Sequence, residues 1–152
     1  MRVDQQEFER RMAAFADVCR RHGVKATHQR MEIYRELART QEHPDAEAIY
    51  TEVKKRIPAI SLDTVYRTLR LLEEKEVISR VGAIRDRARF DANERPHHHF
   101  ICTECGLVRD FYNDRLDAFP PPKDVKAFGA VKSVHVEMRG VCKACARGKR
   151  ER

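Results

Sequence analysis

No stretch of this 152-residue chain approaches eighteen consecutive apolar residues, and 36% of its residues are charged. A membrane-spanning helix is therefore not expected. The opening residues, MRVDQQEFERR, lack an apolar run of the length a secretory signal needs, and a cytoplasmic location is the expectation. There is no serine or cysteine nucleophile constellation, no phosphate-cradling loop and no dinucleotide fingerprint, so the usual marks of an enzyme are missing. Internal repeats and extended low-complexity segments are absent as well. Five cysteines make an odd count, and four of them form two C-x-x-C pairs. That arrangement disfavours a secreted disulfide scaffold and favours metal binding in a reducing compartment.

What is present is a 41% hydrophobic fraction, enough for one core or two small ones. The formal charge is +7 and the pI near 9.4, which suits a polyanionic partner without proving one. The excess is not concentrated in one half: residues 1–91 hold 19 basic and 16 acidic side chains, residues 92–152 hold 12 and 8.

The first half is patterned for helices. Phe8, Met12, Phe15 and Cys19 recur at helical spacing and Gly23 follows as a stop. Cys19 on that stripe is most simply core. Thr27 can cap a second helix with Met31, Tyr34, Leu37 and Ala38 inward. A third should start around Pro44 and Asp45, bury Ile49, Tyr50, Val53 and Ile57, and end at Pro58. Ser61 opens a fourth, with Leu62, Val65, Leu69 and Leu72 inward and Thr64, Arg67 and Arg70 outward. Val77 to Val81 and Arg87 to Asp91 then suit a β-hairpin. This order outlines a winged helix-turn-helix, although a generic small helical domain has a similar pattern. The second half expects strands at His98 to Cys102, Leu107 to Phe111 and Val131 to Met138. A short helix is expected near Arg115 to Phe119, and Pro120 to Pro122 should break the chain. The charged tail RGKRER reads as a solubilising end. The fold class is thus α+β: an N-terminal winged helix-turn-helix, then a small α/β domain. The expected boundaries are 1–86, a hinge at 87–93, and 94–152.

Cys102 and Cys105 are separated from Cys142 and Cys145 by 36 residues. Each two-residue gap lets a knuckle aim both sulfurs at one ion, and two knuckles complete a tetrahedral thiolate shell suited to structural Zn²⁺. A thioredoxin-like pair or an iron–sulfur cluster are the alternatives. Gly106 after the first knuckle and Gly140 before the second would permit sharp turns. Three histidines, His97, His98 and His99, precede the first knuckle. On a strand, His97 and His99 share a face while His98 points away, and Asp110 lies on the next strand-like run. That makes a second metal site, to which spacing alone does not attach His43 or Asp91.

The ordered set Thr27-His28-Gln29-Arg30, His43-Pro44, Thr64-Val65-Tyr66-Arg67-Thr68-Leu69, Arg89-Phe90-Asp91, His97-x-His99-x-x-Cys102-x-x-Cys105-Gly106 and Gly140-x-Cys142-x-x-Cys145 resembles the ferric uptake regulator (Fur) family. Within it, the closest likeness is to the peroxide-sensing PerR branch. The resemblance spans roughly residues 20–146. It implies a homodimeric, metal-dependent repressor of operator DNA with inverted-repeat half-sites. Each subunit would hold one structural zinc ion and one regulatory Fe²⁺ or Mn²⁺. The regulatory ligands it implies are His43, Asp91, His97, His99 and Asp110, with His43 and His97 as the targets of peroxide oxidation. DNA contacts fall on Lys25, Arg30, Thr64, Tyr66, Arg67 and Arg70; Tyr66 could instead pack in the core. The additional site of iron sensors would lie near Pro96, His98, Asp117 and Val134, where Pro96 and Val134 offer no donor side chain and His135 is one step away. Three other readings compete with the peroxide sensor. One is an iron-responsive repressor without peroxide sensing. Another is a small metalloenzyme built on His97, His99 and Asp110, and the third is a zinc-ribbon interaction module.

Overall fold

The computed structural model describes residues 2–84 and 87–148. Residues 1, 85, 86 and 149–152, among them most of the charged tail RGKRER, lie outside the described residues. The chain divides into two compact units, Met1–Glu94 and Arg95–Arg152. Among the described residues, no helix is long and apolar enough to cross a membrane.

The first unit contains α1 (Gln5–Arg21), α2 (His28–Ala38), α3 (Ala46–Lys54) and α4 (Leu62–Glu74), followed by β1 (Ser79–Ile84) and β2 (Arg87–Asp91). Every helix begins at a residue able to satisfy an orphan N–H: the side chains of Asp4, Thr27, Asp45 and Ser61 accept from the third residue on. Gly23, at φ 64°, turns the chain out of α1 in a conformation that other residues resist. The strands pair antiparallel, with Ser79 opposite Asp91 and Val81 opposite Arg89. Three helices packed beneath such a hairpin form the winged helix-turn-helix that the periodicity predicts. Residues 87–93, expected as a hinge, fall with this unit, 87–91 as β2.

The core of this unit gathers Phe15, Val18, Cys19, Ile33, Tyr34, Leu37, Ile49, Val53, Val65, Leu69 and Leu72, with Phe90 closing it from the hairpin. Phe15 and Tyr34 stack with ring centroids 4.3 Å apart. Burial pushes the Cys19 thiol above its ordinary pKa, as expected of a packing residue. Several inward positions differ from expectation. On α2, Ile33 is buried and Met31 is exposed, because the helix turns its Ile33–Leu37 edge to the core. On α4, Thr68 is buried and Leu62, in the first turn, is only partly covered. The third helix ends at Lys54 rather than Pro58. The N–H groups of Arg56 and Ile57 still bond to Val53 O, so a tightened turn uses up the last residues before proline.

The second unit contains β3 (His98–Cys102), β4 (Val108–Phe111), α5 (Asp114–Asp117), α6 (Lys123–Phe128), β5 (Glu137–Gly140) and α7 (Lys143–Gly148). Its sheet runs β4-β3-β5, antiparallel on one side of β3 and parallel on the other. The expected strand at 131–138 survives only as Glu137–Gly140; residues 131–135 have no ladder partner among the described residues, despite Val131 and Val134. The short helix starts one residue earlier than expected, at Asp114, behind the cap at Asn113, whose side chain accepts from Arg115 and Leu116 N–H. Helices α6 and α7 have no apolar stripe and no buried residue, so the periodicity gives no signal for them. Buried hydrophobic residues here reduce to Ile101, Cys102, Val108 and Cys142. Tyr112, Phe119, Phe128, Val131, Met138 and Val141 are exposed.

A Leu69→Ala substitution removes a fully buried side chain from the centre of the larger core. It should destabilise the first unit by about 2–5 kcal/mol, read as a lower urea midpoint with an unchanged slope.

Candidate metal centres

The two C-x-x-C pairs converge. Cys102 ends β3, and the Gly106 N–H bonds back to Cys102 O at 3.0 Å, closing the first knuckle with Gly106 at φ 75°. Cys142 opens the second, and the Ala146 N–H returns to its carbonyl at 2.9 Å as α7 begins. Parallel pairing of β3 with β5, Cys102 opposite Gly140, brings the knuckles together. Gly140 is required for a different reason from the expected turn: a Cβ there would lie 3.2 Å from the Phe100 ring.

The sulfurs of Cys105 and Cys142 are 3.8 Å apart and those of Cys102 and Cys145 4.0 Å apart. A tetrahedron with metal–sulfur bonds of about 2.3 Å has edges of about 3.8 Å, so the spacing fits one Zn²⁺. Electrostatics agree. Backbone N–H groups of Cys105 and Cys142 hold the Cys102 thiol down at about 6, and the Cys145 N–H lowers Cys142. Cys145 is pushed up to about 12 by the neighbouring sulfurs of Cys142 and Cys105. Preformed donors favour thiolates, while their mutual repulsion keeps the last one protonated until a divalent cation lies between them. All coordinating positions of such an ion are filled by protein, which makes this a folding element rather than a catalytic one.

The nitrogen and oxygen donors form two groups, one in each unit. In the first unit, Phe90 N–H bonds to Pro44 O at 3.2 Å and the Arg89 guanidinium donates to His43 O at 3.2 Å. These bonds hold the loop before α3 against β2 and bring His43 Nε2 to 3.5 Å from Asp91 Oδ2. His43 adopts φ 50°, a left-handed conformation that a non-glycine residue keeps only when its surroundings impose it. Both residues are buried.

In the second unit, His99 and Asp110 are directly opposite in the β3–β4 ladder, with Nε2 and Oδ1 3.6 Å apart. His97, one residue before β3, lies with its Nε2 at 3.0 Å from that of His99 and 3.9 Å from Asp110 Oδ1. Its Nδ1 donates to Arg95 O at 2.6 Å, which fixes the tautomer and leaves the Nε2 lone pair aimed at the cluster. Donors on one ion with bonds of about 2.1 Å are about 3 Å apart in an octahedron and about 3.4 Å in a tetrahedron. The trio fits a first-row ion. His98 points to the other face, as strand alternation predicts. Tyr112 and His135 flank His97 at ring-centroid distances of 6.2 and 6.5 Å. Their proximity, and the role of the Arg95 carbonyl, have no signal in residue spacing.

On the first unit, Lys25, Arg67 and Arg70 are exposed, and Tyr66 is 48% exposed rather than packed in the core. Thr64 is partly covered and its hydroxyl lies 2.8 Å from Ser61 Oγ. Arg30 donates to Lys25 O at 2.8 Å and, with Arg67, lines a cleft of about 490 Å³ between the start of α2 and α4.

A winged helix-turn-helix followed by a small metal-binding α/β unit defines a class of metal-responsive regulators. The sequence profile of the Ferric uptake regulator family matches residues 21–139, and the chain belongs to that family. Peroxide-responsive repressor PerR of Staphylococcus epidermidis is 33% identical over 126 residues, which cover 83% of this chain and 84% of that protein. Among solved structures, the Campylobacter jejuni peroxide stress regulator superposes with a TM-score of 0.69 at 30% identity, covering 86% of this chain and 98% of its own. The Helicobacter pylori ferric uptake regulator Fur, described as having three functional metal binding sites, gives 0.72 at 26%, with 96% and 97% covered.

Cys142→Ser should abolish stoichiometric zinc in the purified protein and lower the melting temperature of the second unit. Elemental analysis and calorimetry read both, and full zinc retention would contradict the four-thiolate assignment.

Proposed function

We propose that this chain is a metal-dependent repressor of operator DNA that senses hydrogen peroxide. The observation that carries the proposal is the His97–His99–Asp110 cluster, with His97 locked by Arg95 O into the tautomer that presents Nε2. Its nitrogen and oxygen donors suit Fe²⁺ or Mn²⁺, whereas all four cysteines of the second unit are committed to zinc. Relatives named as peroxide-responsive repressors support the same reading.

The ligand set would be completed by His43 and Asp91, so that residues of both units bind a single regulatory ion per subunit. Metal then favours the DNA-competent arrangement through its higher affinity for that arrangement. The protein would act as a homodimer in the cytoplasm, presenting two α4 helices to inverted-repeat half-sites. Arg67 and Arg70 contact guanine or phosphate, Tyr66 packs on a thymine methyl, and Lys25, Arg30 and Thr64 hold the backbone. When bound, Fe²⁺ supplies the electrons that reduce peroxide. His43 and His97 would be the side chains that take up one oxygen atom, the other leaving as water; an oxidised ring would no longer offer its nitrogen lone pair to a metal, and the clamp between the units would be lost. Mn²⁺ in the same position would repress without this chemistry.

Two measurements test the proposal. Gel mobility shift with an inverted-repeat operator should show binding with Mn²⁺, none with chelator, and none for His43→Ala. Metal-independent binding would contradict the repressor reading. Peroxide treatment of the iron-loaded protein should add one oxygen atom to a peptide containing His43 or His97, and leave the manganese form unmodified. Unmodified iron-loaded protein would instead support an iron-responsive repressor.

A further inference from the structure

His98 lies between two members of the metal cluster in sequence but shares neither their face nor the solvent. It is 0% exposed, and its ring packs 5.3 Å from that of Phe111. Nδ1 accepts the Val136 N–H at 3.2 Å, and Nε2 faces Asp117 Oδ1 at 3.3 Å. A ring nitrogen that accepts a hydrogen bond carries no proton, so the neutral imidazole has its proton on Nε2, directed at the Asp117 carboxylate. The same Val136 gives its carbonyl to the His99 N–H at 3.0 Å. The regular β3–β5 register starts only at His99 opposite Glu137. The His98 side chain therefore adds a rung just before the ladder begins, at the residue that carries His99.

We propose that His98 is a positioning residue for the regulatory site and not itself a metal ligand. Held by the Val136 N–H on Nδ1, and with Asp117 Oδ1 3.3 Å from Nε2, it ties the segment before β5 to the first residues of β3 and sets them beside the end of helix α5. That tie fixes the backbone from which His97 and His99 project on the opposite face. The resemblance drawn from the sequence allots an additional metal position to the region of Pro96, His98, Asp117 and Val134. The residues present do not fit one: two have no donor side chain, one His98 nitrogen is taken by a backbone N–H, and the other carries a proton. A buried histidine with an aspartate carboxylate 3.3 Å from its free ring edge stands in its place. The positioning role rests on His97, His99 and Asp110 being the metal ligands proposed above.

The test uses the full-length, zinc-loaded protein. Nitrogen–proton correlation spectra of ring-labelled histidine, taken before any second metal is added, should show His98 as the Nε2–H tautomer; the Nδ1–H tautomer would overturn the proposal. In Mn²⁺ titrations, Asp117→Ala should weaken binding by about tenfold with zinc content unchanged, the scale on which outer hydrogen-bond partners act on metal affinity. Asp117→Asn, which keeps an acceptor, should restore most of the affinity. Asp117 is partly exposed, so these variants are expected to fold. Unchanged Mn²⁺ affinity in both Asp117→Ala and His98→Gln would overturn the positioning role. A further Mn²⁺ per subunit that disappears in Asp117→Ala would overturn the claim that His98 is not a ligand. His99→Ala separates the two readings: full Mn²⁺ affinity in that variant overturns the ligand assignment, while the tautomer spectrum still decides whether His98 Nδ1 accepts from Val136.

Discussion

Four cysteine sulfurs held at van der Waals distance resist being ionised together, and a divalent cation between them would turn that repulsion into attraction. The rest of that unit depends on it. Among the described residues its buried apolar side chains are few, and two of them, Cys102 and Cys142, belong to the four-cysteine group that could hold the ion. A domain of this size cannot remove enough apolar surface from water to offset the entropy of ordering its chain, and small domains of this kind commonly rely on a metal or on association with a second copy. The residues present suit both resources. The zinc knuckles join β3 to β5, and the large exposed apolar residues of the second unit, Phe119, Phe128 and Met138 among them, suit the dimerisation domain of this family.

The zinc site also sets the geometry of the regulatory donors without touching them. Cys102 ends the strand that His98 and His99 begin, and Val108 to Phe111 return antiparallel directly after the Gly106 turn. Closing the first knuckle thus fixes the β3–β4 register, and that register places Asp110 opposite His99. A shift of one residue would turn Asp110 to the other face. The two ions therefore have separate chemistry but not separate structural foundations: soft thiolates hold the scaffold, and harder nitrogen and oxygen donors on it are left for an exchangeable ion.

Much of this was legible in the sequence, for physical reasons that differ by element. Helices α1 to α4 were readable because each joins a capping residue to a stripe of apolar side chains, as Ser61 does with Val65, Leu69 and Leu72. The paired C-x-x-C motifs and the spacing of His97 and His99 were readable because metal chemistry constrains both residue type and interval. Backbone contributions were not: the Arg95 carbonyl that sets the His97 tautomer, and the Val136 peptide shared by His98 and His99, could be supplied by any residue. Strand prediction failed at 131–135 because β-branched residues such as Val131 and Val134 record a propensity, while a strand also needs a partner edge. Charge misled in another way. The net excess is divided between the halves, and the basic residues of α4, Arg67 and Arg70, stand out only through their exposed position on the helix.

X-ray absorption at the zinc and manganese edges of the doubly loaded protein tests the central claim most directly, because it reads the donors of each ion separately. The account predicts zinc surrounded by four sulfurs at about 2.3 Å and manganese surrounded only by nitrogen and oxygen. Sulfur in the manganese shell, or a zinc shell dominated by nitrogen and oxygen, would contradict it.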